Sequence, residues 1–111
     1  MITRTSTLTQ IKVIVIEIEP EDEGPFIKLL DQRGHGFAFR PGGQPAVVLD
    51  GRIRREPWFT EDHMIAVEAH EVCHILLSST DEMETDSAAI MMLELQGLNA
   101  AAQLLRDRVE K

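Results

Sequence analysis

The residues with the clearest chemical potential are His70, Glu71 and His74, which form the motif H-E-x-x-H. They lie in a stretch whose apolar spacing predicts a helix over residues 61–77. Because a helix returns to the same face after four residues, the two imidazoles project side by side and can bind one metal ion. Glu71 projects about 100° away from His70, where its carboxylate can take a proton from a water molecule on that metal.

Length and composition indicate one acidic globular domain. The chain has 111 residues, enough for a single core, and 43% of them are hydrophobic. Its 11 basic and 19 acidic residues give a net charge of −8. This argues against a nucleic-acid partner, since no basic stripe is present to neutralise phosphates. We expect a single domain over residues 1–111, in which residues 1–10 are the segment that could be flexible.

The cysteine content and the N-terminal segment bear on the location of the protein. Cys73 is the only cysteine, so no intrachain disulfide can form, and we expect it to be a small buried hydrophobe and not a metal ligand. Residues 1–10 are polar, and no apolar run approaches membrane-spanning length. We therefore expect no signal peptide, no membrane partner and a cytoplasmic protein, or one of the host cytoplasm or a virion if a phage encodes it.

Hydrophobic patterning predicts strands in the first half of the chain and helices in the second. Three helices at the end of the chain predict an α+β domain with these helices on one face of a small sheet that leans towards antiparallel pairing. The predicted strands cover residues 11–19, 37–40 and 46–50, and the predicted helices cover residues 25–33, 61–77, 81–96 and 99–109.

Capping residues mark where the two central helices begin. Thr60 is a good N-cap for the helix over residues 61–77. Ser79 and Glu82 have the spacing of a capping box at the start of the next helix. The two helices are therefore expected to be joined by a tight turn at residues 78–80.

Residues 60–89 resemble the gluzincin zinc peptidases. The stretch 60–77 resembles their active-site helix, including the apolar run after His74, and E-M-E-T-D-S-A-A at residues 82–89 resembles the E-x-x-x-D element of their glutamate helix. The size of the chain is similar to that of the small minigluzincins. The resemblance implies a minimal zincin-like fold, a Zn²⁺ cofactor, a third zinc ligand at Glu82, and Asp86 as the support of a ligand histidine.

The third ligand is open among three carboxylates. Only seven residues separate His74 from Glu82, which is fewer than is usual in the family. The family register selects Glu82, whereas pairing residues about a tight turn sets His74 opposite Glu84. Asp86 is the remaining alternative.

The residue that would polarise a substrate carbonyl is also open. The chain contains no tyrosine, the residue that many zinc peptidases use for this role. The role would fall to His35, His63 or an arginine, or to zinc alone. His63 lies about 10 Å along the helix from His70, too far to bind the same ion.

Two functions from different classes follow from these residues. The first is a zinc-dependent metalloendopeptidase that hydrolyses a peptide or protein substrate with a zinc-bound water activated by Glu71. Two histidines and one carboxylate leave a fourth position for that water. The alternative is a non-catalytic or latent domain of the same fold that acts as an interaction or structural module, which the small scaffold favours. The sequence predicts no oligomeric state.

Overall fold

Four strands form one mixed sheet in the computed structural model, which describes residues 1–109. Their order across the sheet is β1-β2-β4-β3. β2 and β4 are parallel, whereas each outer strand is antiparallel to its neighbour. β1 and β3 are therefore the sheet edges within residues 1–109. The strands are β1 (Ile2–Thr5), β2 (Ile14–Ile18), β3 (Gly36–Phe39) and β4 (Ala46–Asp50).

The sheet has four strands and not the predicted three. Residues 2–5, which belong to the segment expected to be flexible, form β1 and pair with β2. Ile2 is the only apolar residue of β1, so the strand has no apolar face from which it could be recognised in the sequence, and all four of its residues are exposed. The parallel pairing of β2 with β4 was also not predicted, although two of the three pairings are antiparallel.

The helices lie on both faces of the sheet. α1 packs on one face, whereas α2 packs on the other face and carries α3 and α4 as a further layer. The predicted placement of the three C-terminal helices on one side is thus correct. The helices are α1 (Pro25–Arg33), α2 (Glu61–Leu77), α3 (Glu82–Leu95) and α4 (Asn99–Val109), and short 3₁₀ turns occupy Pro41–Gly43 and Gly51–Arg55.

Alternation along β2 and burial of β4 produce this layered core. Val13 and Val15 pack in the hydrophobic cluster between the sheet and α2. Ile16 and Ile18 pack in the hydrophobic cluster between the sheet and α1. All five residues of β4 are buried, as expected for an interior strand covered on both faces. The central strands therefore form a rigid support for α2.

Gly36 lets β3 lie unusually close to α2. A Cβ atom at this position would come within 2.9 Å of Cγ1 of Val67 and 3.3 Å of Cγ of Glu71. Only glycine leaves room for this approach without movement of the neighbours. The close contact places the first residue of β3 beside Glu71, so the edge of the sheet forms one wall of the site.

A partly buried ion pair ties the N-terminal segment to the opposite side of α2. The carboxylate of Glu68 is buried and forms a salt bridge with Arg4. It also accepts a hydrogen bond from Oγ of Ser6 (2.7 Å). These contacts hold the position of α2 relative to β1 from behind the histidine face.

The structure confirms the predicted α+β class. Residues 110 and 111, the end of the predicted domain, lie outside the described residues. None of the helices within residues 1–109 combines the length and the apolar composition that a membrane crossing requires.

Candidate metal centre

His70 and His74 direct their Nε2 atoms at a common point. The two atoms are 3.0 Å apart, and the rings meet edge to face with centroids 4.6 Å apart. His70 is buried and His74 is partly buried. This arrangement follows from their spacing of four residues on α2, which places the two side chains one turn apart on one face.

The other nitrogen of each ring is held by an acceptor. Nδ1 of His70 donates to Oδ1 of Asp86 (2.6 Å), and Nδ1 of His74 donates to the carbonyl oxygen of Ser79 (2.7 Å). Because a carboxylate and a carbonyl only accept, these two short contacts favour the tautomers in which both Nδ1 atoms carry the proton. In the neutral rings, both Nε2 atoms therefore present lone pairs.

Glu82 adds a third acceptor at the same point. Its Oε2 lies 2.8 Å from Nε2 of His70, and its Oε1 lies 3.1 Å from Nε2 of His74. With both imidazoles neutral and protonated on Nδ1, three electron-rich groups converge at this point, which favours a cation between them. Protonation of His70 is disfavoured because burial lowers the pKa of its imidazole, although Asp86 acts in the opposite direction.

The donor set fits zinc. Two imidazoles and one carboxylate, with one position left for water, are the ligands of many catalytic zinc sites. Tetrahedral bonds of about 2.1 Å place donors about 3.4 Å apart. The separations of 2.8–3.1 Å need to widen by only about 0.3 to 0.6 Å. Rotation of Glu82, whose side chain is 70% exposed, can widen the two separations that involve its carboxylate, and small ring rotations can widen the third.

The loop between α2 and α3 brings Glu82, and not Glu84, to the imidazoles. Ser78 ends α2 in the left-handed conformation with φ of 49°. α3 then begins at Glu82, and Asp81 is the N-cap of this helix. Oδ1 of Asp81 accepts a hydrogen bond from the backbone N–H of Glu84 (3.0 Å). The predicted capping box between Ser79 and Glu82 is therefore wrong. The carboxylate of Glu84 instead lies 3.5 Å from Oγ of Ser79.

Asp86 supports His70 from the second turn of α3. Its carboxylate is buried and accepts from Nδ1 of His70 and from the guanidinium of Arg108, whose Nε lies 3.3 Å from Oδ2. Arg108 belongs to the last turn of α4 and was not identified from the sequence. A basic residue near a helix C-terminus is ordinary, and no spacing relates it to the motif.

Glu71 is a buried carboxylate beside the acceptor cluster. It offers an oxygen within 4.8 Å of the donor atoms of His70 and His74. Burial raises the pKa of Glu71 to about 7, and the positive charges of Arg33 and Arg108 oppose that rise. A carboxylate that titrates near neutral pH is well matched to general-base catalysis.

His70, Glu71, His74 and Glu82 line an open cleft of about 770 Å³. β3 forms one wall, and the start of α3 and Arg108 form the opposite part of the lining. His35 lies at this cleft and stacks on Trp58 with ring centroids 5.6 Å apart. His63 does not line the cleft; its Nδ1 accepts from the backbone N–H of Thr60 (3.1 Å).

Cys73 lies away from this centre. It is 2% exposed and packs in the core formed by α2, α3 and α4. Burial raises the pKa of its thiol to about 11. The thiol is therefore neutral at physiological pH, and the expectation of a small buried hydrophobe is correct.

The structure thus brings together the sequence-predicted residues of α2 and α3 in one centre. His70, His74 and Glu82 converge, Glu71 lies beside them, and Asp86 contacts the far side of His70. In comparisons with protein-family models, with curated proteins and with solved structures, nothing matches this chain.

Proposed function

We propose that this chain is a zinc-dependent endopeptidase of gluzincin type, with a minimal zincin-like fold. The observation that carries the proposal is the convergence of two imidazole Nε2 atoms and one carboxylate, with a buried carboxylate next to them, in an open cleft. The H-E-x-x-H order on α2 and the register of α3 support the same interpretation.

His70, His74 and Glu82 are the proposed zinc ligands. When bound, zinc supplies Lewis-acid polarisation and lowers the pKa of a coordinated water. Asp86 and the Ser79 carbonyl keep the proton of each imidazole on Nδ1, so both Nε2 atoms stay available as ligands. The ligand geometry thus depends on α3 and its loop as much as on the motif helix.

Glu71 is the proposed general base. Its carboxylate accepts the proton of the attacking water and then passes that proton to the leaving amine. Burial raises the pKa of Glu71 to about 7 in the metal-free chain, which makes its carboxylate a readier proton acceptor than an exposed glutamate. An amide at this position could not perform either transfer.

The edge of the sheet is the proposed binding surface for the substrate backbone. β3 pairs with β4 on one side only within the described residues, and it lines the cleft. An extended peptide can add to such an edge through main-chain hydrogen bonds. Gly36 keeps β3 close to Glu71, so a peptide bound along β3 passes the proposed base and ligands.

The experiment combines metal content with peptide hydrolysis. Native mass spectrometry of the zinc-loaded protein should show one zinc per chain, and His70→Ala should remove it. His63→Ala is the matched control, since His63 is on the same helix but does not line the cleft. Glu71→Gln should retain zinc and fold but hydrolyse no member of a peptide library that the wild type cleaves.

Two outcomes would contradict the proposal. Retention of zinc by His70→Ala would remove this histidine from the site. A fully zinc-loaded wild type that cleaves no peptide would favour the alternative of a non-catalytic module that keeps the fold.

A further inference from the structure

Two arginines of this acidic protein lie at the cleft without a carboxylate partner. Of the eight arginines in the chain, five form salt bridges with aspartate or glutamate. Within residues 1–109, the three that form none are Arg33, Arg40 and Arg55, and the first two line the cleft. Two of the three arginines that form no salt bridge within residues 1–109 therefore lie at the cleft where we place the substrate.

The two arginines flank the strand that forms the cleft wall. Arg33 is the last residue of α1, and its guanidinium lies 6.0 Å from the ring centroid of Phe37. Arg40 directly follows β3, and its Nη2 donates to the carbonyl oxygen of Ile75 (3.1 Å). Each contact leaves other guanidinium N–H groups available and holds the charge close to one end of β3.

The carboxylates of the cleft do not neutralise these charges. Only Glu71 and Glu82 line the cleft as acids within residues 1–109, and both are directed to the proposed metal centre. Arg108 also lines the cleft, but it is paired with Asp86. The two ends of β3 thus remain positive in a protein whose net charge is −8.

We propose that the substrate is an acidic peptide, bound along β3 with one carboxylate side chain at Arg33 and another at Arg40. This inference rests on the proposed peptidase function. β3 has four residues, which span about 13 Å at 3.3 Å per residue. Two acidic residues at positions i and i+4 of an extended peptide are separated by about this length.

Charge also explains why recognition should be local. A net charge of −8 repels an acidic peptide at long range, so binding depends on the few cations that the peptide meets in the cleft. Both arginines are solvent-exposed, so their attraction should be screened by salt. Substitution of either one should therefore reduce affinity only partly.

The test measures binding without turnover. Zinc-loaded Glu71→Gln is titrated into fluorescent peptides that carry Glu, Gln or Lys at positions i and i+4, and affinity is read by anisotropy. A scrambled peptide with two adjacent Glu residues controls for total charge. We expect the i, i+4 Glu peptide to bind about tenfold more tightly than its Gln version at low salt, with the Lys version weakest.

Variants assign the effect to the two arginines. In the same background, Arg33→Gln and Arg40→Gln should each reduce the preference for Glu over Gln about threefold. Arg33→Lys and Arg40→Lys should retain most of it because the charge remains. Arg55→Gln is the matched control, since Arg55 is exposed, lacks a carboxylate partner within residues 1–109 and does not line this cleft. Circular dichroism checks the fold of each variant.

The outcomes separate this inference from the peptidase function. Equal binding of the Glu and Gln peptides would overturn the acidic-substrate inference, even if the wild type cleaves peptides. An acidic preference that Arg33→Gln and Arg40→Gln leave unchanged would overturn the assignment to these residues. An arginine-dependent preference in a protein that cleaves no peptide would support the binding inference and contradict the peptidase function.

Discussion

Glu71→Gln should change how the stability of the metal-free protein depends on pH. Glu71 is buried, and burial raises its pKa from the ordinary value of 4.5 to about 7. The folded state therefore holds the proton of Glu71 more tightly than the unfolded chain does. The stability that this proton contributes is complete below pH 4.5, and it is lost as the pH rises through 7.

The size of the effect follows from the two pKa values. At about 1.36 kcal/mol per pKa unit, the interval from 4.5 to about 7 corresponds to about 3 kcal/mol. About 2.5 kcal/mol of this change falls between pH 5 and pH 8. The amide of glutamine does not titrate, so Glu71→Gln lacks this loss of stability. Between pH 5 and pH 8, the free energy of unfolding of Glu71→Gln should therefore rise by about 2.5 kcal/mol relative to that of wild type.

Urea unfolding of chelator-treated proteins at pH 5 and pH 8 measures this difference, with helical circular dichroism as the signal. Glu56→Gln is the matched control, since Glu56 is exposed and makes no side-chain hydrogen bond or salt bridge within residues 1–109. The control should alter neither pH dependence nor midpoint appreciably. We expect the free energy of unfolding of Glu71→Gln minus that of wild type to be larger at pH 8 than at pH 5. If this difference is the same at both pH values, or larger at pH 5, Glu71 is not a buried carboxylate with a raised pKa.

Three further substitutions test the ligand set and the fold. Glu82→Ala should weaken zinc affinity far more than Glu84→Ala in a chelator competition assay, because only the first carboxylate contacts the imidazoles; the reverse order would favour the alternative ligand. Asp86→Asn should lower zinc affinity about 10- to 100-fold, and an unchanged affinity would show that its hydrogen bond to the histidine has no role. Gly51→Ala should lower the free energy of unfolding by about 3 kcal/mol, since its Cβ would lie 2.3 Å from the carbonyl oxygen of Ile18; unchanged urea unfolding would contradict that contact.

The active-site helix could be predicted from local signals alone. The apolar period, the Thr60 N-cap and the spacing of His70 and His74 together specify residues 61–77, and the structure has the same bounds. A helix of this length has a fixed geometry, so the proximity of the two imidazoles follows directly from their spacing. Helices and strands whose apolar residues recur with a clear helical or strand period can be predicted in this way.

β1 could not be predicted because its stability comes from its partner. Its residues are exposed, and its pairing with β2 depends on hydrogen bonds between segments that the apolar pattern does not relate. The ion pair of Arg4 with the buried Glu68 is non-local for the same reason, since the two residues are 64 positions apart in the sequence. Such contacts are set by the tertiary fold.

The choice between Glu82 and Glu84 depended on a loop conformation. Counting residues about the turn treats the two helices as a symmetric hairpin and selects Glu84. The left-handed Ser78 and the N-cap at Asp81 instead start α3 so that its first side chain faces α2. The resemblance to the gluzincin register predicted the same residue that the structure brings to the imidazoles, whereas the counting argument did not.

The measurement that tests the central claim most directly is the isotope content of cleaved peptides. Zinc-loaded protein is incubated with a peptide library in H₂¹⁸O, and the products are analysed by mass spectrometry beside those of Glu71→Gln. We expect wild type alone to produce new C-termini that carry one ¹⁸O atom, since a water oxygen enters the new carboxylate. If the fully zinc-loaded wild type produces no such termini, or if Glu71→Gln produces them equally well, the account of this site as a zinc peptidase is wrong.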